Sequence, residues 1–384
     1  MANLESFLHD LSDAVEHGAT ASQIEYWRCS PLLKEHELLQ ATYAVIAKRA
    51  GFEAPELHLE ALPGGGVPLF GRGFLPWKSL PYPKEHAQLG VCLAQLGDLQ
   101  TARKMARFQE ATLDHTHRPA YALFTQEGSP CQTALDRANA TFFETIGYVP
   151  SDTLKFSDQE LGMISWRTPT SAVICLGSGC KSGLGVFLQH DAGIINWGPQ
   201  TTPTGICEGF GLAGRAQKVQ LNEMDHLFAL SFQCRLAAPS TRETGFSYLR
   251  DGGFSAVWME ALIEGNHEAL TCRIRFEALH AEKKPLLVLF GKGSSCLVAG
   301  SHLLKPRSLN RYGGPSQTVH LRGNLGNVCV ATEGMAHMEI IPLAGDESFW
   351  GADFLIAYTL NNSEACLRLF TGQPQIQKTE IQHV

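Results

Sequence analysis

The first third of the chain carries its apolar residues at helical spacing. Leu4, Phe7, Leu8, Leu11 and Val15 recur every three or four positions, and Gly18 follows as a stop. A second stripe runs through Leu33, Leu38, Leu39, Tyr43, Ile46 and Ala47, predicting a helix over 32–50 that ends at Gly51. Residues 61–83 then hold five prolines and five glycines interleaved with Phe70, Phe74, Trp77 and Tyr82. That density forbids a regular element, and the aromatic residues predict an ordered loop packed on the body. Two further helices are predicted over 84–96 and 99–114, and one more over 133–146, before Pro150.

Beyond about residue 150 the period changes. Short runs rich in β-branched and aromatic residues predict strands over 171–176, 184–189, 193–197, 226–236, 254–263, 268–278, 285–290, 295–303, 317–322, 327–332, 336–342 and 349–359. Turn residues separate them, as in Asp251-Gly252-Gly253, Glu264-Gly265-Asn266 and Gly313-Gly314-Pro315. Arg273, Arg275 and Glu277 alternate with Cys272, Ile274 and Phe276, the pattern of a half-exposed antiparallel strand. The expected fold is α+β: a small helical N-terminal region over 1–118, then a large antiparallel β-sandwich of 12 to 15 strands over 119–384.

Composition narrows the function classes. The chain has 384 residues, formal net charge −7, 44% hydrophobic and 18% charged residues. So much apolar content excludes disorder, and 31 cations against 38 acids give no general footprint for nucleic acid. The N-terminus lacks a basic segment followed by an apolar core, and no apolar run is long enough to span a bilayer, so a cytoplasmic location is expected. The 11 cysteines are odd in number, widely spaced and set in apolar runs. They read as reduced, buried residues, with neither metal nor cofactor expected.

Candidate chemistry is sparse. The segment 177–185 (Gly-Ser-Gly-Cys-Lys-Ser-Gly-Leu-Gly) has glycines and Lys181-Ser182, but Cys180 separates Gly179 from the lysine, and a strand follows where a phosphate loop needs a helix. It reads as a wide hairpin turn. His190 and Asp191, with Asn196 and Trp197 downstream, form one candidate site. Arg307, Arg311 and Tyr312 form another, a cationic loop suited to gripping a carboxylate or an anionic sugar. His337 and Glu339 share one strand face, and Asp225-His226 is a further acid–imidazole pair.

Two resemblances follow from these residues. Leu89-Gly90, Leu93, Gly97, Leu99, Ala102 and Ala106 are similar to a tetratricopeptide helix pair, which implies a surface for a protein partner. The sandwich, with His190-Asp191 at a strand end, resembles the C-terminal domain of heparinase II/III-type polysaccharide lyases. In that family a His-x-His-x-Asp pattern supplies a histidine and metal ligands. Aligned on Asp191, this chain has Phe187 and Gln189 at the histidine positions. The sequence therefore predicts a non-enzymatic binding protein, with helices for a protein partner and a sandwich for a carbohydrate-like ligand. The alternative is a lyase-like enzyme with His190 as base and Arg307 or Arg311 holding the substrate carboxylate.

Overall fold

The computed structural model describes residues 4–35, 37–59, 61–67, 83–120, 129–200, 212–237, 254–277, 286–345 and 351–372. Most of the Pro/Gly-rich loop over 61–83, and the Asp251-Gly252-Gly253 turn, lie outside them. Among the described residues seven helices come first: α1 (Leu4–His17), α2 (Ala21–Arg28), α3 (Pro31–Glu35), α4 (Glu37–Arg49), α5 (Pro83–Leu96), α6 (Leu99–Ala111) and α7 (Ser129–Ile146). Their ends follow local chemistry. Gly18 takes φ +88° and returns its N–H to Ala14 O, Thr20 caps α2 in a capping box with Gln23, and Asp98 caps α6 by accepting from Thr101 N.

The strands are β1 (Leu154–Asp158), β2 (Met163–Thr168), β3 (Ser171–Leu176), β4 (Gly179–Ser182), β5 (Gly185–Gln189), β6 (Ala192–Gln200), β7 (Leu212–Glu223), β8 (Phe228–Ala237), β9 (Phe254–Gly265) and β10 (Ala269–Glu277). There follow β11 (Leu286–Lys292), β12 (Ser295–Val298), β13 (His302–Leu304), β14 (Tyr312–Pro315), β15 (Val319–Arg322), β16 (Asn327–Glu333), β17 (Met335–Pro342), β18 (Phe354–Leu360) and β19 (Glu364–Thr371). They form two antiparallel sheets. The first runs β1-β2-β3-β5-β6-β11-β18-β17-β14, and the second runs β13-β12-β15-β16-β19-β10-β9-β8-β7-β4. The expected α+β fold with its large two-sheet sandwich is observed, with nineteen strands among the described residues where the sequence predicted 12 to 15.

The segment 177–185 has a structural role. β3 and β5 pair directly, with Leu176 N donating to Leu184 O, while β4 at the tip of the connection joins the edge of the second sheet beside β7. The wide hairpin thus ties the two sheets together. Between them lies the main core, in which Phe187, Trp197, Phe228, Phe232, Phe354 and Tyr358 are at most 2% exposed.

The helices cover the outer face of the first sheet. Met163, Ile174, Leu176, Val186 and Leu188 point outward from β2, β3 and β5 and pack under Leu89, Leu93, Met105, Phe108 and Phe142. α7, which follows residue 118, belongs to this layer. A Cβ at Gly90 of α5 would sit 2.3 Å from the Phe142 ring, so only glycine admits α7 this closely. Covered on both faces, β3 is buried at every position.

Two buried polar networks pin the layer. Arg167 of β2 and Glu110 of α6 form an ion pair at 2.8 Å with both side chains almost fully buried. Arg167 also donates to the carbonyls of Ser151 and Leu113, while Glu110 accepts from Ser151 N and from the Tyr148 hydroxyl. Every charge-bearing atom is thereby satisfied, as a buried pair requires. Within the helices, His86 Nδ1 donates to Gln109 Oε1 at 2.9 Å, and Gln109 Nε2 donates to Asn139 Oδ1 and Pro83 O. Complete burial pushes the His86 imidazole down to about 4, so it is neutral near pH 7.

Candidate functional site: the open face of the second sheet

The outer face of the second sheet bears a groove of about 670 Å³, lined by β7, β8, β9, β10 and β19 and the β16–β17 turn. Its floor follows from strand register. Gln233, Glu260, Arg275 and Glu364 stand opposite one another across β8, β9, β10 and β19. One row along, Ser231, Leu262, Arg273 and Cys366 do the same, with Glu333 of β16 beyond. Residues paired across an antiparallel sheet share a face. The intervening Met259, Ala261, Ile263, Cys272, Ile274 and Leu367 turn inward to the core, so the polar rows must turn outward.

The charges on this face are arranged in pairs. Arg273 reaches Glu264 at 2.7 Å, Arg368 reaches Glu333 at 2.8 Å, and Arg275 lies 3.7 Å from Glu364. Glu260 is bound instead by a neutral amide, Gln233 Nε2. At one flank the Arg235 guanidinium carbon lies 5.2 Å from the centroid of the half-buried Trp258 ring. Carboxylate, amide and guanidinium groups in adjacent rows offer forked donors and acceptors, the geometry that matches neighbouring hydroxyls on a polyol. Among the described residues no histidine lines the groove, and no group of three or more His, Cys, Asp or Glu side chains is placed to hold a metal ion.

The residues singled out in the sequence lie elsewhere. His190 occupies the β5–β6 turn at φ +50°, half-buried, with its N–H donated to Thr170 O. His115 hydrogen-bonds the His190 backbone. Burial pulls its imidazole below the ordinary value, against opposing influences from Asp114 and that hydrogen bond. Asp191 is a structural clamp. It accepts from Asn324, Leu325 and Gly326 N–H at 2.6, 3.0 and 2.9 Å, tying the β5–β6 turn of one sheet to the β15–β16 turn of the other. Burial alone would raise its carboxyl, but these three donors outweigh it and hold the group down to about 2. The clamp needs glycine, since a Cβ at Gly323 would lie 2.1 Å from Asp191 Oδ1.

Asn196 and Trp197 are fully buried, and their side-chain polar atoms have no partner among the described residues. Trp197 fills the inter-sheet core, and Asn196 Oδ1 lies against Gly183, where a Cβ would stand 1.6 Å away. Arg307 and Arg311 are exposed. Tyr312 is half-buried in β14, its ring edge-on to His302 at 5.6 Å. Arg307 N donates to Leu343 O beyond β17, and β14 is four strands from β6. At the usual strand spacing these positions are on the order of 15–20 Å from the His190 turn. Histidine and arginines thus stand on different connections of the first sheet, the β5–β6 turn and the segment leading into β14. His337 and Glu339 do share an exposed face, 3.9 Å apart. The described cysteines are free and mostly buried, with burial raising Cys92 to about 11 and Cys296 and Cys329 to about 12.

No protein-family model matches the chain, and no curated protein matches it. Among solved structures, the chain is similar to YeaD of Salmonella typhimurium, a candidate mutarotase, at 11% identity and TM-score 0.31, covering 58% of this chain and 95% of that one. It is similar to HI1317 at 6% identity and TM-score 0.31, covering 57% and 99%. It is also similar to the 4-alpha-glucanotransferase of Thermococcus litoralis at 9% identity and TM-score 0.32, covering 76% of this chain and 50% of that one.

Proposed function

We propose that the protein is a non-enzymatic carbohydrate-binding protein whose ligand lies in the groove on the second sheet. The observation that carries this reading is the row Gln233, Glu260, Arg275, Glu364, which crosses the floor of a groove of about 670 Å³. That volume falls in the range of sites for small organic ligands. Glu260 stands between Gln233 and Arg275 and is the acid of this row held by an amide, so its carboxylate is the natural acceptor for a sugar hydroxyl. The helices act mainly as a layer over the first sheet. Their shared apolar face is already packed there, so a protein partner would dock on their outer side.

The test is isothermal titration of the full chain with neutral and uronate-containing oligosaccharides. Binding by the wild type, weakened roughly tenfold or more in Glu260→Ala, is the expected result, because a hydrogen bond to a charged group is lost. No heat with any member of the panel, or heat unchanged in Glu260→Ala, would overturn the reading.

A further inference from the structure

Charge is distributed unevenly along this acidic chain. Between residues 283 and 332 there are seven of its 31 lysines and arginines and none of its 38 acids. That stretch carries +7, while the rest of the chain carries −14. Lys283 and Lys284 lie outside the described residues. The other five are Lys292, Lys305, Arg307, Arg311 and Arg322.

The fold gathers these five toward one end of the sandwich, and backbone hydrogen bonds trace the neighbourhood. Arg307 N donates to Leu343 O, Leu343 N to Asp353 O, and Asp353 N to Gly291 O, next to Lys292. Ser294 Oγ then donates to Arg322 O, and the β15–β16 turn that follows Arg322 is clamped by Asp191. Cys296 pairs with Leu304 while Ser295 pairs with Arg322, which sets Lys305 at this same end. Exposed Glu339 of β17, opposite Gly313, lies 3.9 Å from His337, while two other acids found here are engaged by backbone. Asp353 Oδ2 accepts from Gly293 N, and Asp191 accepts from three N–H groups. Asp346 and Glu347 of the β17–β18 connection lie outside the described residues.

Two leucines project from this end. Leu309 is 99% exposed between Arg307 and Arg311, and Leu325 is 79% exposed at the tip of the β15–β16 turn. The connection from β13 to β14 that carries Leu309 is fixed at its ends by the His302–Tyr312 ring contact and within by Arg307, held at φ +62°. Cations flanking projecting leucines are complementary to a surface with anionic headgroups above an apolar layer. A soluble polyanion would use the arginines and leave the leucines without a role.

We propose that this end of the sandwich, through Lys305, Arg307, Leu309, Arg311 and Leu325, docks on an anionic lipid surface. The second-sheet groove lies on a broad face and remains free to hold its ligand. The experiment is co-sedimentation of the full chain with vesicles of phosphatidylcholine alone and of phosphatidylcholine with about 30% phosphatidylserine. Binding is expected only with phosphatidylserine, falling as salt rises. Arg307→Ala with Arg311→Ala should weaken it roughly tenfold or more. Leu309→Ser should weaken it several-fold, since apolar contact with the bilayer is lost. Thermal melting checks that both variants keep the fold, as these side chains are exposed. Absence of binding to phosphatidylserine vesicles overturns the proposal. So does binding that Leu309→Ser leaves intact while soluble heparin competes equally well, which would identify a polyanion site instead.

Discussion

The two broad faces of this sandwich are built from the same kind of antiparallel strand, and they have opposite fates. On the first sheet β3 is buried throughout, because Ile174 and Leu176 lie under the helices and their neighbours face the core. On the second sheet β10 alternates strictly, with Cys272, Ile274 and Phe276 inward and Arg273, Arg275 and Glu277 outward. The covered face is secured by a few buried polar groups, above all the Arg167–Glu110 pair with its backbone partners. The open face carries many half-exposed polar groups whose pairing contributes little to stability. A variant on the covered face should therefore act on folding, and a variant on the open face on binding.

The largest effect should come from cutting the clamp on the covered face. Glu110→Ala leaves the Arg167 guanidinium buried and uncompensated, at a cost of about 3–5 kcal/mol. Urea unfolding of the variant measures it, and a loss below 1 kcal/mol would mean that the helices are not anchored this way.

Acid should act next, and on the same layer. His86 is held to about 4 when folded, against an ordinary value near 6.5 when unfolded, so below pH 6.5 the unfolded chain takes up the proton first. Stability is full above that value and falls as the pH drops toward 4, by about 3 kcal/mol in total. His86→Gln should flatten that slope in a pH series of unfolding curves. Asp191 behaves in the other usual sense: its depressed carboxyl contributes stability above its ordinary value that is lost as pH falls toward about 2. Asp191→Asn should cost about 1–3 kcal/mol at neutral pH, because three backbone N–H groups lose their charged acceptor.

The smallest effect on folding is expected on the open face. Arg273→Ala removes a half-exposed pair with Glu264 and should change stability by under about 0.5 kcal/mol. A larger shift in thermal melting would show that the rows on this face are structural and not a binding surface.

Much of this contrast can be read from the chain itself. The strand over 171–176 is observed within the predicted bounds, and its unbroken apolar run marks burial on both sides. The alternation through 272–277 predicts one wet face. Other elements escape because their local chemistry points elsewhere. β14 reads Tyr-Gly-Gly-Pro and is a loop by composition, yet it pairs with β17 as an edge strand. β7 is polar and broken by two register shifts, so it lacks a clean period. β19 does alternate, with Ala365, Leu367 and Leu369 inward.

The groove is not legible in any local pattern. It depends on Gln233, Glu260, Arg275 and Glu364 falling into one register across four strands, and register is a non-local property. His190-Asp191 reads as an imidazole beside an acid, whereas the acid serves a turn 133 residues further on. Proximity in sequence suggests a chemical pair, while the hydrogen bonds of the Asp191 carboxylate all go to backbone of that turn.

The groove assignment is tested by comparing Glu260→Ala with His190→Ala in titration calorimetry against the same oligosaccharide panel, alongside absorbance near 232 nm with uronate polysaccharides. Binding by the wild type and by His190→Ala, loss in Glu260→Ala and no absorbance rise are expected. Binding that survives Glu260→Ala and fails in His190→Ala, or an absorbance rise that His190→Ala abolishes, would contradict it and move the site to the β5–β6 turn.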